Sequence, residues 1–533
     1  MKNKLFCAIA YNVHDSSVSF GINNKVVLVL EAERVFKQKK KRCDLTEMEH
    51  LISTGLKYLD KKPDEITGWA MTTLNNPLLT RRDIIDEKTT FPKEPYYKKV
   101  SILGIETDAL VINHHLSHAA TYLFSGFNQA IITTCDGGGD HDPKIGVGEC
   151  FAVYRGDGNN ITRHYNIDTS ELITGKTYAT CSVFIYNAKP CEGKLMALAA
   201  FGKVREEYLK KLKTLYRKIE TVDYPIGERI LEENFPNLRG AASGDNPSIE
   251  AIDFCATVQF FFSEQRIKNT KSIVEKLHRN NDDFVLAGGT ALNLNLNSLL
   301  LEELPKMQHF IAPCCDDTGQ SLGALCYLMT EINNRRPIVD LPYLGMGSDF
   351  RIQKDAIDKS LETITNDGIL VVHNGKSEIG PRALGNRSLI ARPDKIDVKI
   401  KLSEKIKNRE SYRPVAPIVL EEMLDKYFDG PKKSPYMLYR HRVKKNIIDK
   451  IPGAVHIDGT ARVQTISKTD NPFLYELIKK FGDKTGFYLL LNTSLNLKGD
   501  PISESLDESI NIYSKIEGAK ALINNGKIHS ISN

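Results

Sequence analysis

Two stretches of this chain carry the same order of apolar and polar segments, and that repeat constrains the fold more than any other feature. In the first, Leu5 to Ala10 reads as a buried strand and His14-Asp15-Ser16-Ser17 as a polar turn, with further strands from Val18 to Gly21 and Lys25 to Leu30. In the second, Ala130 to Cys135 is the strand and Asp136-Gly137-Gly138-Gly139-Asp140 the turn, with strands predicted from Gly146 to Tyr154 and Ile161 to Tyr165. A strand that ends in small polar residues presents backbone amides and hydroxyls at its tip, where an anion can be held. Two such units in one chain suggest a two-lobed α/β domain of the actin-like or sugar-kinase-like (duplicated ribonuclease H-like) kind, with a ligand held between its lobes.

The second unit is preceded by a histidine-rich segment, Ile112 to Ala120 (INHHLSHAA). His114 and His118 stand four positions apart, which on a helix puts both imidazoles on one face and lets them grip one ion. His115 pairs with His118 at a spacing of three, so spacing alone leaves the partner of His118 open. Asp136 at the tip of the following strand adds a carboxylate of the kind that completes a metal site. Peptidase chemistry of the HExxH type is excluded, because position 115 is His and no glutamate between the ligands is available as a base.

Further along, Glu192-Gly193-Lys194 opens an alanine-rich helix, and a helix predicted from Val258 to Leu277 leads into a strand ending in Gly288-Gly289. Paired glycines between a strand and a helix bring backbone close to a nucleotide. Asp316-Asp317-Thr318-Gly319 forms another acidic turn before an apolar helix and supplies a candidate fourth ligand. The stretch from about Arg205 to Asn246 is polar and reads as a peripheral insertion. Beyond a boundary near residue 345 the loops become rich in arginine. Arg382 and Arg387 sit in a Gly-Pro frame (GPRALGNRS), and Lys405, Lys407, Arg409, Arg413 and Arg462 continue the series. Guanidinium forks match phosphate oxygens, so these loops read as a polyanion cage.

At 533 residues the chain is too long for one core. With 72 basic against 67 acidic residues its net charge is +5, too small an imbalance to demand nucleic acid or a membrane as partner. The ten cysteines lie in apolar segments without CxxC pairs, the usage of reduced thiols in a cytoplasmic protein. No apolar run reaches the eighteen or so residues that a membrane helix needs.

Eight motifs in order, NHHLSHAA, DGGGD, EGKLMALAAFG, LAGGTALNLN, GPRALGNRSLIA, KIKNRESYRPVAPIVLEEM, VHIDGTARVQT and LLLNTSLNLKGDPI, resemble those of carbamoyltransferases of the nodulation and antibiotic-tailoring type. The resemblance spans nearly the whole chain. It implies an actin-like metal- and adenylate-binding domain over residues 1–345, like that of the universal tRNA threonylcarbamoylation protein. An α+β domain resembling the threonylcarbamoyl-adenylate synthase fold would follow over 346–533, with the last ~25 residues packing back on the first.

The resemblance also implies an activity: carbamoyl phosphate and ATP give carbamoyl adenylate and pyrophosphate, and the carbamoyl group then passes to a hydroxyl of a small-molecule acceptor at a metal site. Carried over by motif, His114, His118, Asp136 and Asp317 bind the metal, Fe(2+) or another divalent ion, with Asp316 as a rival to Asp317. Arg382, Lys407, Arg413, Arg462 and Ser494 fall in the adenylation pocket, with Arg387 and Asn492 beside them. Lys39, Gly138, Gly193, Gly288, Gly289 and Asn293 fall near the adenylate in the first domain. His14 and Asp15 match the turn near the acceptor, where one of them orients or deprotonates the hydroxyl. ATP with Mg(2+) is the implied co-substrate, nucleic acid is not an expected partner, and a homodimer is the expected assembly. Two other readings are a tRNA-modifying threonylcarbamoyl enzyme and a non-catalytic actin-like nucleotide-binding protein.

Overall fold

The computed structural model describes residues 3–85, 92–142, 147–164, 172–189, 191–244, 246–279 and 281–529. The chain divides into two compact units, Met1–Asp340 and Leu341–Asn533.

The first unit holds two sheets built alike. In one, β1 (Leu5–Ala10), β2 (Ser17–Ile22) and β3 (Lys25–Glu31) form an antiparallel meander, and β4 (Ile66–Thr72) lies parallel to β1. β5 (Tyr96–Ile102) and β6 (Ile105–Ile112) complete the order β3-β2-β1-β4-β6-β5. In the other, β7 (Gln129–Cys135) is followed by the short pair β8 (His141–Asp142) and β9 (Val147–Gly148), then by the antiparallel strands β10 (Phe151–Asp157) and β11 (Asn160–Arg163). β12 (Asp283–Ala287) runs parallel to β7, and β13 (His309–Phe310) parallel to β12, giving β11-β10-β7-β12-β13. A meander of three strands continued on its first strand by parallel ones thus occurs twice. This is the duplicated order of an actin-like domain.

The central strands are buried along almost their whole length, because helices cover the sheets; their composition is accordingly apolar throughout and does not alternate. The second strand of the second copy's meander, β10, begins later than the sequence suggested, at Phe151, and Gly146 and Tyr165 lie outside the described residues. The polar stretch after Arg205 is helical, with Glu206–Glu220 and Tyr224–Asn234 each burying one apolar edge; Leu209, Leu212, Leu215 and Ile219 of the first recur at helical spacing.

The second unit is built on a seven-stranded mixed sheet. Its members are β14 (Ile369–His373), β15 (Arg387–Ala391), β16 (Ala416–Leu420), β20 (Gln464–Ile466), β21 (Leu489–Ser494), β22 (Ala519–Asn524) and β23 (Lys527–His529), in the order β20-β16-β21-β15-β14-β22-β23. A small antiparallel sheet of β17 (Phe428–Asp429), β18 (His441–Val443) and β19 (Thr460–Ala461) stands beside it. Of the last twenty-five or so residues, those in β22 and β23 extend this unit's own sheet, β22 parallel to β14. Apolar cores lie on both faces: Phe473, Leu474, Leu477 and Phe481 of the helix Pro472–Thr485 on one, Val398, Leu402 and Ile512 on the other. No helix among the described residues is long and apolar enough to cross a membrane.

Candidate active sites on the two units

In the first unit Asn113 caps the short helix His114–Ala119, its side chain accepting from Leu116 N, and so fixes the direction in which the histidines project. Nε2 of His118 lies 3.2 Å from Asp136 Oδ2 and 3.4 Å from Asp317 Oδ1, and Nε2 of His114 lies 3.9 Å and 3.7 Å from the same two oxygens. One ligand atom from each of the four residues falls within 4.8 Å of all the others.

His115 turns away from this group. Its Nδ1 meets Thr134 Oγ1 at 2.8 Å and its Nε2 the Glu149 carbonyl at 2.9 Å, so it is a satisfied core histidine, and burial with the neighbouring His114 holds its pKa well below the ordinary value. The ambiguity left by spacing is thereby resolved in favour of His114. Asp316 caps its own turn, accepting from Thr318 N and Oγ1, and burial together with Asp15 and Asp317 lifts its carboxyl to about 6.

Nε2 of His114, Nε2 of His118 and Oδ1 of Asp317 are buried and hydrogen-bonded to nothing. Three convergent polar atoms without a hydrogen bond are costly unless something occupies their centre, and two imidazoles with two carboxylates suit a borderline divalent metal. The residues therefore fit the group. Burial works against the charged forms of both His118 and Asp136, yet their mutual attraction prevails: His118 is pushed up to about 9 and Asp136 held well below the carboxylate range.

The polar turn of the first repeat abuts this cluster. Asn12 Nδ2 donates to the Asp317 carbonyl at 3.2 Å, and His14 Nδ1 lies 2.7 Å from Asp15 Oδ2 and 3.8 Å from Asp317 Oδ2. Burial pulls the His14 pKa down, but the Asp15 hydrogen bond and the charge of Asp317 raise it to about 9. Lys39 is exposed; the lysine whose charge bears on His14 and Asp316 is Lys40.

The first-unit glycines have two different roles. A side chain at Gly138 or Gly193 would meet nothing within 4 Å, which leaves room for a ligand. Gly289 donates its N–H to Asp136 Oδ2 at 3.0 Å and thus aims the carboxylate, while Gly288, at φ +89°, packs so closely that a Cβ would lie 2.3 Å from the Cys135 carbonyl. Gly288→Ala is expected to cost about 2–4 kcal/mol by thermal denaturation and to weaken metal retention, because the clash falls on the residue before Asp136. Asn293 caps the helix Leu294–Glu303 and pairs with Gln259.

In the second unit four guanidinium groups converge. Burial, then the charges of Arg382, Arg409 and Arg413, drive the pKa of Arg462 well below its ordinary value; burial with Arg413 and Arg382 lowers Arg409 to about 10. Within the group Arg413 pairs with Glu410 at 3.7 Å. Like charges held together in this way destabilise the empty pocket and favour a polyanion.

Lys407 follows a π-helical turn, Lys401–Ile406, and is 2% exposed. Its ammonium donates to the carbonyls of Ser494 and Asn496, to Asn496 Oδ1 and, at 3.3 Å, to Ser494 Oγ, so it fixes the loop that carries Ser494. Arg409, which sequence reading placed only in the basic series, joins that loop through Thr493 Oγ1 at 3.3 Å. Asn492 Nδ2 donates to the Ala383 carbonyl and Gln464 Oε1, pinning the residue after Arg382.

Arg387 departs from the expected cage. It is fully buried, and its guanidinium donates to the carbonyls of Asn374, Asn386, Met346, Gly375 and Glu504. The Gly-Pro frame thus holds one arginine whose charge bears on Arg409 and Arg462 and one that binds the protein's own main chain. Arg387→Met is expected to cost about 3 kcal/mol or more, read as a fall in the denaturant midpoint, because several buried carbonyls lose their donor together.

The family models described as Carbamoyltransferase N-terminus and Carbamoyltransferase C-terminus match residues 5–326 and 361–529. Relatives include a Methanocaldococcus jannaschii protein carried as "Uncharacterized protein MJ1051", 30% identical over 79% of this chain and 83% of that protein. Nodulation protein NolO of Bradyrhizobium diazoefficiens is 29% identical over 75% of this chain and 76% of its own. The 3'-hydroxymethylcephem-O-carbamoyltransferase of Amycolatopsis lactamdurans is 29% identical over 62% and 63%. Because the two models together leave little but the connecting segment between the units unmatched, the chain belongs to the carbamoyltransferase family.

Proposed function

We propose that this carbamoyltransferase is an ATP-dependent cytoplasmic O-carbamoyltransferase whose half-reactions are divided between its units. The observation that carries this reading is the group of Arg382, Arg409, Arg413 and Arg462, in which burial and then mutual charge lower two of its own members. Such a pocket suits the triphosphate of ATP beside carbamoyl phosphate. Water cleaves carbamoyl phosphate to phosphate and carbamate; a carbamate oxygen attacks the α-phosphorus of ATP, forming carbamoyl adenylate and expelling pyrophosphate. The guanidinium groups offset charge on the transferring and leaving phosphates. Lys407 holds Ser494 in register beside them.

Transfer belongs to the first unit. His114, His118, Asp136 and Asp317 would hold a divalent metal such as Fe(2+), which would supply Lewis acidity toward the carbamoyl carbonyl. His14 orients the acceptor hydroxyl and Asp15 takes its proton as the carbamoyl carbon–oxygen bond to AMP is exchanged for one to the acceptor. Gly138 and Gly193 leave space for the adenylate. Removal of the metal by a chelator is expected to stop transfer and spare adenylation.

The test is product analysis with carbamoyl-labelled carbamoyl phosphate, ATP, Mg(2+) and a panel of sugar and antibiotic hydroxyl acceptors. Label on an acceptor oxygen with AMP as co-product supports the reading; label transferred with ADP as co-product, or without ATP, opposes it.

A further inference from the structure

Arg266 lies on the long helix Ile249–Leu277 and is 0% exposed. Its Nε, Nη1 and Nη2 all lack a hydrogen-bond partner, and no carboxylate of a described residue forms an ion pair with it. Its guanidinium stacks over the Phe151 ring, with 4.7 Å between Cζ and the ring centroid. The contrast with the other buried arginines is plain. Arg155 is paired with Asp282 at 2.5 Å, Arg34 with Glu31 at 2.9 Å, and Arg387 is surrounded by carbonyls.

A guanidinium does not deprotonate in a protein, so it cannot escape burial by becoming neutral. A buried charge without a partner costs many kcal/mol, and the face of one aromatic ring returns only about 2. Something negative must accompany it.

The register of the sheet shows what else faces the same space. Phe151 pairs with Cys135 and Val153 with Thr133, so these four side chains share one face of the sheet, the face that Arg266 stacks on. Thr133 Oγ1 is a buried orphan, and so is Thr270 Oγ1, one helical turn beyond Arg266 on the same helix face. Two unpartnered hydroxyls and three unpartnered guanidinium nitrogens are thus sealed between this helix and the sheet, all of them able to donate.

We propose that Arg266 holds a small inorganic anion of halide size between the helix Ile249–Leu277 and the strands β7 and β10. Complete burial excludes a nucleotide, a sugar phosphate or any other solute of many atoms, since none enters without parting helix from sheet. The site lies behind Cys135, the residue before Asp136, so its filling supports the strand end that carries a metal ligand. It does not depend on the activity proposed above.

The experiment follows the thermal unfolding of the full chain at constant ionic strength as sodium gluconate is exchanged for chloride and then bromide, in the wild type and in Arg266→Met. A saturable rise in Tm of a few degrees that Arg266→Met abolishes is the expected result. The arginine pocket of the second unit also attracts halide, so the portion of the rise that survives in Arg266→Met belongs there. Bromide-soaked crystals provide the second readout, an anomalous peak at hydrogen-bonding distance from the Arg266 guanidinium. A Tm response identical in the two proteins, or crystals with no anomalous peak at Arg266, overturns the proposal in favour of buried water. Should Arg266→Met fail to fold, the crystals decide alone.

Discussion

Arg462→Ala is expected to lower pyrophosphate release from ATP and carbamoyl phosphate by roughly 10²–10³-fold, the usual effect of removing one preorganised donor from a developing charge. Burial, followed by the charges of Arg382, Arg409 and Arg413, holds the pKa of Arg462 well below its ordinary value, so the other three arginines all bear on it. In the empty pocket its removal relieves repulsion, so the variant is expected to be at least as stable as the parent while being nearly inactive. That combination separates a ligand-binding role from a structural one, since loss of a structural arginine such as Arg387 lowers both. Metal content should not change. A variant that releases pyrophosphate at the parental rate would remove the pocket from the mechanism.

His118→Ala is expected to have the complementary phenotype. Its Nε2 lies close to both carboxylates and has no hydrogen bond of its own, so the variant should purify without stoichiometric metal and lose carbamoyl transfer by about 10³-fold. Pyrophosphate release should persist. His115→Asn is the control: its ring is already engaged by Thr134 and Glu149, so it should lower Tm and leave metal content near the parental value. Full metal occupancy in His118→Ala, read by elemental analysis, would contradict the site.

Much of the first unit is legible in the sequence, because its signals are local and regular. Continuous apolar runs mark strands buried on both faces, and the paired turns after β1 and β7 gave the duplication. The choice between His114 and His115 was not legible. Both spacings are compatible with a helix, and the decision rests on Thr134 and the Glu149 carbonyl, which lie nineteen and thirty-four positions away. Gly288 and Gly289 read as a nucleotide turn in sequence; their contacts with Cys135 and Asp136 across the parallel pair β7 and β12 are tertiary and carry no local signal.

In the second unit the sequence showed that arginines were abundant without showing which way each one points. Arg382 and Arg387 stand five positions apart in one loop. The second begins β15, and its side chain runs inward among carbonyls, a fate fixed by tertiary packing. Arg409 stood in the basic series without a role of its own because a π-helical turn sets the phase of its neighbourhood, and no simple spacing predicts where a side chain leaving such a turn will point. No motif or spacing in the sequence singles out Arg266, which is wholly buried.

The most direct test of the divided mechanism is pyrophosphate release by the purified full chain with ATP, Mg(2+) and carbamoyl phosphate, without any hydroxyl acceptor, using a detection that distinguishes pyrophosphate from inorganic phosphate. The account predicts pyrophosphate that depends on carbamoyl phosphate and persists after the first-unit metal is removed. Formation of ADP in its place, or pyrophosphate released equally without carbamoyl phosphate, would contradict it.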